Sequence, residues 1–384
     1  MARRILLLNE RDPANPLAGG AEVHIFEIFG RLVKRGHEVT LLSASFKGSS
    51  REDRISGFRV RRLANRYLYY GMVPFAARRE AMRGDYDVVV DVLNKLPFLS
   101  PWFVPVPCFA VVHHLFGTTA FQQASFPIAL VTYLSEKLVP LAYRGVPMLA
   151  ISPSTKDDLV ERGLRPEQVW VVPPGLDHEA YVAGTELRGR EPLILWIGRL
   201  EPYKRAGDML EAMVRILDRV PRARLVVIGA GSAREGLERL VRDKGLQEAV
   251  EFAGFISEED KIDYLQRAAV VVNTSEKEGW GMTVIEGNAC GTPNVSTDVP
   301  GLRDSVKDGD TGLLFDCGDV GALTECLLRI LTDEKLSERL SIKGLEWAAR
   351  FSWDRVADDA LTLLERAIEG DRGPVRLVAS PFQD

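Results

Sequence analysis

The sequence contains little cysteine, with four residues among 384. These cysteines lack the paired spacing of zinc sites, and most of them have apolar neighbours. A framework of disulfides is therefore disfavoured, and we expect buried thiols in a reducing, cytoplasmic setting. The five histidines also lack metal-ligand spacing, so we predict no bound metal.

Apolar runs long enough to cross a membrane are missing as well. The opening run Ile5–Leu8 ends at a polar segment, which predicts a buried first strand and not an export signal. The stretch from Leu96 to Val112 is interrupted by four prolines, and the stretch from Ile128 to Ala142 carries two charges in its middle. We therefore predict a cytoplasmic protein without a spanning helix.

No large excess of either charge sign is present, since the net charge is −5. Residues 1–100 hold 17 Lys and Arg against 11 Asp and Glu, an excess too modest to indicate nucleic acid. Much of this basic charge lies between Arg51 and Arg83, mixed with aromatic residues. That region is either an ordinary solvated face or a surface that meets an anionic acceptor or the inner face of a membrane, as a peripheral contact.

Short apolar runs alternate with helix-like segments along the whole chain, which is the pattern of an α/β protein with parallel sheets. A helix from Ala21 to Lys34 follows the first strand. The predicted strands are Ile5–Asn9, Val39–Ser43, Val88–Val92, Cys108–His113, Met148–Ile151, Val169–Val172, Leu193–Ile197, Arg224–Ile228, Val250–Phe252, Val270–Asn273, Asn294–Ser296 and Gly312–Phe315.

The length and the restart of this pattern near residue 190 predict two domains. We expect two facing Rossmann-like, doubly wound units over residues 1–175 and 190–350, with a cleft between them. A last helix at about 352–370 is expected to pack back on the first unit. In open α/β sheets ligands lie beyond the carboxyl ends of the strands, so residues that follow strands are the candidates for a site.

The segment Asn273–Glu286 is the strongest local signal. It follows a strand, its glycines, including Gly281, stand where the backbone must approach a ligand, and a helix is expected to begin at about Thr283 in it. The free N–H groups and the dipole at a helix start favour an anion. Glu286, expected in the first helical turn, is suited to ribose hydroxyls, and Glu278 on the loop is suited to a sugar.

Two cations follow the strand Leu193–Ile197. Arg199 and Lys204 lie where a pyrophosphate at the neighbouring helix start needs positive charge, Arg as a planar fork and Lys as a point charge. Their position after the strand separates them from ordinary solvated side chains.

Glycines occur at two further helix starts. Gly19 and Gly20 precede the first helix, where the backbone is expected to reach across the cleft toward phosphate or sugar. Gly229 and Gly231 follow a strand, and we expect the backbone at Gly231 to approach a nucleotide. The third glycine of a dinucleotide fingerprint is absent there, which disfavours a nicotinamide oxidoreductase.

His113 and His114 stand at the end of the strand that begins at Cys108. A histidine in that position can hydrogen-bond a sugar hydroxyl or steady a reacting carbon. His24, His37 and His178 lack this placement. The pair Asp85 and Asp87 resembles a metal-holding motif but precedes its strand, so we reject it.

Together these segments resemble the retaining family-4 glycosyltransferases of the GT-B fold, over nearly the whole chain. The matching motifs are Gly19–Gly20, Pro173–Asp177, Gly198–Arg199, Lys204, Glu278-x7-Glu286 and Pro300–Leu302.

The resemblance also implies roles for individual residues. For the donor it implies Arg199 and Lys204 at the diphosphate, Glu286 at the ribose, Glu278 at the transferred sugar, and the N–H groups of Met282 and Thr283 beside them. It implies that His113 reaches the donor sugar, with His114 as the alternative one position away. Trp280 replaces the family's usual Phe or Tyr, so the resemblance does not predict which sugar the site accepts.

The implied reaction is metal-independent transfer of a hexose from a UDP- or GDP-sugar to an acceptor hydroxyl, with retention at the anomeric carbon. In the family the leaving phosphate takes the acceptor proton. The donor is a substrate, and no cofactor is expected. The acceptor stays open between a glycan, a lipid-linked sugar and a small molecule. A sugar-nucleotide epimerase of the same fold is the alternative, and a two-lobed sugar-binding protein is a third reading.

Overall fold

The computed structural model describes residues 1–84, 86–123, 125–185, 187, 189–371, 373, 375 and 377–382. The chain forms two compact units. The first contains Met1–Gly175 together with Ser352–Asp384, and the second contains Leu176–Phe351.

The first unit is built around one mostly parallel sheet. Its strands are β1 (Arg4–Leu8), β2 (Glu38–Ser45), β3 (Glu52–Ile55), β4 (Phe58–Asn65), β5 (Val88–Leu93), β6 (Cys108–Val112), β7 (Met148–Ala150) and β8 (Val169–Val171). Its helices before residue 175 are α1 (Gly20–Lys34), α2 (Arg66–Met82), α3 (Ala120–Gln123), α4 (Phe126–Glu136), α5 (Val139–Ala142) and α6 (Pro153–Glu161). The strand order is β3-β4-β2-β1-β5-β6-β7-β8, and only the β3/β4 pair among these is antiparallel.

Helices cover both faces of this sheet, which explains why its central strands are apolar along their whole length. Every residue of β5 and β6 is buried. Side chains of α2 join a core cluster with Leu6 and Leu8 of β1 on one face. A doubly covered sheet needs no alternation of polar residues, so the short apolar runs predicted these strands well.

The second unit has a fully parallel sheet. Its strands are β9 (Leu193–Ile197), β10 (Arg224–Ile228), β11 (Val250–Gly254), β12 (Val270–Asn273), β13 (Asn294–Thr297) and β14 (Gly312–Phe315). Its helices are α7 (Ala206–Arg219), α8 (Arg234–Asp243), α9 (Glu258–Arg267), α10 (Met282–Ala289), α11 (Leu302–Ser305), α12 (Val320–Thr332) and α13 (Glu334–Ala348). The strand order is β11-β10-β9-β12-β13-β14, the order of a Rossmann fold.

After Phe351 the chain returns to the first unit in helix α14 (Trp353–Glu369). This helix lies against α1, where Arg31 binds Asp354 at 2.9 Å and Arg35 binds Asp358 at 2.6 Å. No helix among the described residues is both long and apolar enough to cross a membrane.

The predicted fold class, with two Rossmann-like α/β units, is confirmed by this topology. The basic segment 51–83 contains structure that the sequence did not predict, namely β3, β4 and α2. Part of its positive charge is neutralised, because Arg61 binds Glu80 at 2.8 Å and Arg62 binds Asp12 at 2.8 Å. Arg62 and Asp12 form a buried ion pair that fixes β4 to the loop after β1.

Candidate active site

The strand order of the second unit reverses between β9 and β12, which are neighbours although two strands separate them in the chain. At such a switch point the loops after the two strands leave in opposite directions and open a crevice. The loop after β9 carries Arg199 and Lys204, and the loop after β12 carries Glu278. The topology thus brings two separately predicted motifs to one edge of one sheet.

Lys204 and Glu278 form an ion pair through Nζ and Oε1. Both side chains are largely buried, at 14% and 19% exposure, so their attraction is screened less than at an open surface. The hydroxyl of Ser275 donates a second hydrogen bond to the same carboxylate oxygen at 3.1 Å. Each charge is therefore held by the other at the carboxyl edge of the sheet.

The two loops are also joined by hydrogen bonds to the backbone of the loop after β9. The hydroxyl of Thr274 donates to the carbonyl of Lys204 at 2.7 Å, and the indole N–H of Trp196 donates to that hydroxyl at 3.0 Å. The backbone N–H of Glu276 donates to the carbonyl of Tyr203 at 2.9 Å. These bonds hold the main chain around Lys204 in place, which preorganises its ammonium group.

The start of α10 lies directly after this loop. Gly281 is its N-cap with φ +87°, a conformation that favours glycine, and Met282 and Thr283 occupy the first helical positions. Their backbone N–H groups are among those that a helix start leaves without an intrahelical partner. Gly301 packs against the loop so closely that a Cβ there would collide with the carbonyl of Glu278.

Glu286 lies in the second turn of α10, because the helix begins at Met282, so the prediction of a first-turn position was wrong. Its carboxylate is buried and accepts from Lys261 Nζ at 3.2 Å. Lys261 also binds Glu258 at 2.9 Å, and Glu258 accepts from the hydroxyl of Tyr181. Burial opposes the charge on Lys261, but Glu286 and Glu258 outweigh it and raise the pKa of this ammonium above its ordinary value.

Lys261 and Tyr181 had no signal in the sequence, because the bond of Lys261 to Glu286 and that of Tyr181 to Glu258 arise from tertiary packing. Only proximity in the fold brings them together.

Arg199 differs from Lys204 in being exposed, and its guanidinium donates to the hydroxyl of Tyr203 at 3.0 Å. Gly231 is explained by packing, because a Cβ there would collide with the carbonyl of Leu200 in the loop after β9. A contact between Gly231 and a nucleotide stays a prediction.

Trp280 is 2% exposed and packs edge-on against Phe351, with ring centroids 5.4 Å apart. Its ring therefore belongs to the core of the second unit.

In the first unit, His113 follows β6 and is buried. Its Nε2 lies 3.1 Å from Nδ1 of His24, a residue that lacked the expected strand-end placement and sits in the second turn of α1. Burial and the neighbouring His114 lower the pKa of His113 to about 3, and burial together with His113 lowers that of His24 well below its ordinary value. Both imidazoles are neutral at pH 7.

Each ring of this histidine pair has one buried nitrogen without a hydrogen-bond partner among the described residues, Nδ1 of His113 and Nε2 of His24. Buried polar atoms of this kind call for an explanation such as a ligand or water. His114 is half-buried, and its ring lies 4.9 Å from that of Phe116. The choice between His113 and His114 as the donor-facing histidine stays a prediction.

Gly19 is the N-cap of α1, and Gly20 is its first residue. The N–H of Gly19 donates to Glu22 at 2.7 Å in a capping box, so Glu22 already satisfies this donor. Any role of Gly19 and Gly20 toward phosphate or sugar stays a prediction.

A buried polar cluster follows β1, beside the loop after β5 at the switch point of the first sheet. Glu10 accepts from Lys95 Nζ at 2.7 Å and from the hydroxyl of Tyr70 at 2.8 Å. Burial works against the charge of Glu10, but these donors keep the pKa of its carboxyl below the usual value. For Lys95, burial prevails and lowers the pKa of its ammonium.

No group of three His, Cys, Asp or Glu within the described ranges is arranged to hold a metal ion. Asp85, part of the aspartate pair rejected above, lies outside the described residues.

Residues 177–347 match the family model described as glycosyl transferases group 1, and residues 18–180 match the model described as glycosyltransferase family 4. The chain belongs to the family-4 glycosyltransferases. Each of the two units of this glycosyltransferase is therefore matched, over most of its length, by one of the two family models.

The relatives of this glycosyltransferase include two D-inositol 3-phosphate glycosyltransferases. The one from Kribbella flavida is 28% identical over 403 residues, which cover 93% of each chain. The one from Nocardia farcinica is 28% identical over 393 residues, covering 93% of this chain and 86% of the relative.

Two solved structures share the fold of the glycosyltransferase. Sucrose-phosphate synthase from Thermosynechococcus elongatus has a TM-score of 0.81 at 22% identity, covering 96% of this chain and 100% of that one. Anabaena HepE in complex with UDP-glucose has a TM-score of 0.73 at 18% identity, covering 96% and 99%. The comparisons favour glycosyl transfer over the epimerase alternative.

Proposed function

We propose that this glycosyltransferase moves a hexose from a nucleoside diphosphate sugar to an acceptor hydroxyl, with retention of the anomeric configuration and without a metal. One observation carries the proposal. Lys204, Glu278 and the start of α10 converge at the carboxyl edge of the second sheet. A cation and free backbone N–H groups fit a diphosphate, and a carboxylate beside them fits a sugar hydroxyl.

In the proposed step the bond between the anomeric carbon and the diphosphate oxygen breaks, and the acceptor oxygen bonds to that carbon on the same face. The acceptor proton passes to the leaving phosphate oxygen. Negative charge grows on the diphosphate, and Lys204, Arg199 and the dipole of α10 stabilise it. Such fixed charges lower the barrier because they need no reorganisation during the reaction.

Donor binding breaks the Lys204–Glu278 pair in this proposal. The diphosphate takes over the ammonium of Lys204, and a sugar hydroxyl donates to the freed carboxylate of Glu278. The loops keep their positions because the hydroxyl of Thr274 and the backbone N–H of Glu276 donate to carbonyls of the other loop.

We assign the nucleoside to Glu286. Its carboxylate is suited to accept from the two ribose hydroxyls, and the hydrogen bond from Lys261 holds it in place. Uridine is our first choice of base over guanosine, because HepE, a protein of similar fold, was solved with UDP and with UDP-glucose.

We place the acceptor in the unit Met1–Gly175, near the polar cluster of Glu10 and Lys95. The name of the relatives makes D-inositol 3-phosphate the first small acceptor to test, with glycans and lipid-linked sugars as the other classes. Phosphate on an acceptor would find positive charge at Lys95.

Nucleotide sugars tested one at a time by thermal shift identify the donor, since a ligand that binds only the native state raises the melting temperature. We expect a UDP-hexose to give the largest shift. The transferred product is then analysed by NMR for its anomeric configuration. An inverted product contradicts retention, and release of an altered nucleotide sugar from the donor alone supports the epimerase instead.

A further inference from the structure

The segment 125–144 of the first unit exposes an unusual number of large apolar side chains, and we call it the apolar segment. It comprises α4, α5 and the residues that flank them. Its exposed apolar residues are Phe126, Ile128, Leu130, Val131, Leu134, Leu138 and Leu141. Single exposed apolar residues are common on proteins, but a contiguous group marks a docking surface.

Helix α4 is apolar on its outer side and anchored on its inner side. Ala129, Thr132 and Glu136 are its buried residues, spaced by three and four positions so that they share one side. Phe126, Leu130 and Leu134 repeat every four residues on another side. An ordinary surface helix has polar residues on its solvent-facing side, whereas α4 has large apolar residues there.

The apolar segment exposes positive charge only. Its charged residues are Glu136, Lys137 and Arg144. Glu136 is buried, accepts from the backbone N–H groups of Phe116 and Gly117 at 2.6 Å and 2.7 Å, and binds Arg162 at 3.2 Å. Lys137 and Arg144 are exposed. An apolar surface flanked by cations complements a lipid bilayer with anionic headgroups.

Helix α5 lies on the same face of the sheet as α2. Leu8 pairs with Asp91 across β1 and β5, and Asp91 pairs with Ala110 of β6, so these side chains point to one face. Leu8 packs in the core cluster with α2, and Ala110 packs in the one with α5. The two helices therefore belong to one layer.

Helix α2 adds to this layer an exposed surface of similar composition. Its exposed large apolar residues are Tyr67, Leu68, Met72, Phe75 and Met82. Its exposed charged residues include Arg66, Arg78 and Arg79, and its one acidic residue, Glu80, is buried in ion pairs with Arg61 and Arg83. Trp102, also exposed, stands in a 3-10 turn that contacts α5.

We propose that this layer docks on an anionic membrane, with the apolar segment entering the headgroup region and the arginines of α2 binding lipid phosphates. Helix α4 is 11 residues long, or about 16 Å, which is too short to cross a hydrocarbon core of about 30 Å. It therefore lies in the interface. This inference does not depend on the proposed reaction, because it concerns a surface outside the loops that carry Lys204 and Glu278.

The test is co-sedimentation of the full chain with vesicles of phosphatidylcholine alone and of phosphatidylcholine mixed with phosphatidylglycerol. We expect binding to the mixed vesicles and little binding to the neutral ones. The double variant Val131→Glu/Leu134→Glu should bind at least about tenfold more weakly, since two buried apolar contacts are lost. Both positions are more than half exposed, so the fold should be unaffected.

Phe255→Glu is the matched control, because Phe255 is 83% exposed in the other unit and should leave vesicle binding unchanged. Lys137→Gln/Arg144→Gln should weaken binding to mixed vesicles and remove much of its salt dependence. Circular dichroism of every variant checks that it is folded.

Equal vesicle binding by the wild type and Val131→Glu/Leu134→Glu would overturn the proposal. So would failure of the wild type to bind either vesicle. A wild-type dimer in size-exclusion chromatography with light scattering that this variant dissociates would assign the surface to a second copy instead.

Discussion

At the scale of single residues, Glu286 is a buried carboxylate that the second unit pairs with a cation. Lys261 lies 3.2 Å from it and is itself held by Glu258. Such a carboxylate is suited to a contact that is made equally in the bound substrate and in the transition state, as expected for ribose far from the breaking bond.

We therefore expect Glu286→Gln to raise KM for the donor by about tenfold while changing kcat little, the result of losing uniform binding. Steady-state kinetics with the donor from the thermal-shift screen measures both constants. Glu346→Gln, at an exposed position in the same unit, is the control. A fall in kcat at unchanged KM would mean that Glu286 acts on the transition state and not on the ribose.

The two buried histidines make the stability of the first unit depend on pH. The pKa of His113 is about 3 when folded and near 6.5 when unfolded, so the unfolded chain takes up the proton first as pH falls. Stability is therefore lost as pH drops from about 6.5 toward about 3.

We expect the imidazole NMR signals of His113 and His24 to stay constant between pH 8 and pH 5, with His113→Asn and His24→Asn used for assignment. Titration of either buried signal near pH 6.5 would contradict the neutral pair.

At the scale of elements, the loop between β12 and α10 depends on a glycine of another loop. Gly301 has φ +84°, and a Cβ there would meet the carbonyl of Glu278 and the backbone of Gly279. Gly309 has a similar φ of +75°, but no described atom lies within 4 Å of the Cβ that alanine would add. Substituting each of these two glycines by alanine therefore distinguishes the effect of backbone strain, which both share, from that of the collision at Gly301.

We expect Gly301→Ala to lower the free energy of unfolding more than Gly309→Ala does, the latter by about 1 kcal/mol from strain alone. Gly301→Ala should also weaken donor binding, because the collision moves the loop that carries Glu278. Urea unfolding and titration with the donor test this. Equal effects of the two substitutions on donor binding would show that the loop does not need this support.

The sequence predicted the strands of both units because buried parallel strands are continuous apolar runs. It did not predict β4, where arginines alternate with Phe58 and Val60, since the burial of Arg62 depends on its ion pair with Asp12. It missed α2 because Pro74 stands inside that helix.

The candidate site shows the same limit. Lys204 and Glu278 were found from their places after strands. His24 and Lys261 were not, because helices bring them to their partners through tertiary packing.

At the scale of the whole molecule, the reaction should proceed without a divalent cation. Lys204 and the α10 dipole supply the charge that a metal supplies in other enzymes. We expect transfer rates with excess EDTA to stay within a factor of about two of the untreated rate. Loss of activity that Mg²⁺ or Mn²⁺ restores would contradict metal independence.

The most direct test of the proposed mechanism is the transfer rate of Lys204→Ala at saturating donor. We predict a loss on the order of 10²-fold or more, the scale for one preorganised charge contact, with the fold intact by circular dichroism. Lys343→Ala, which removes a Lys–Glu pair exposed on the same unit, should keep the wild-type rate. A Lys204→Ala protein that turns over as fast as the Lys343→Ala protein would contradict the assignment of this site as the catalytic centre.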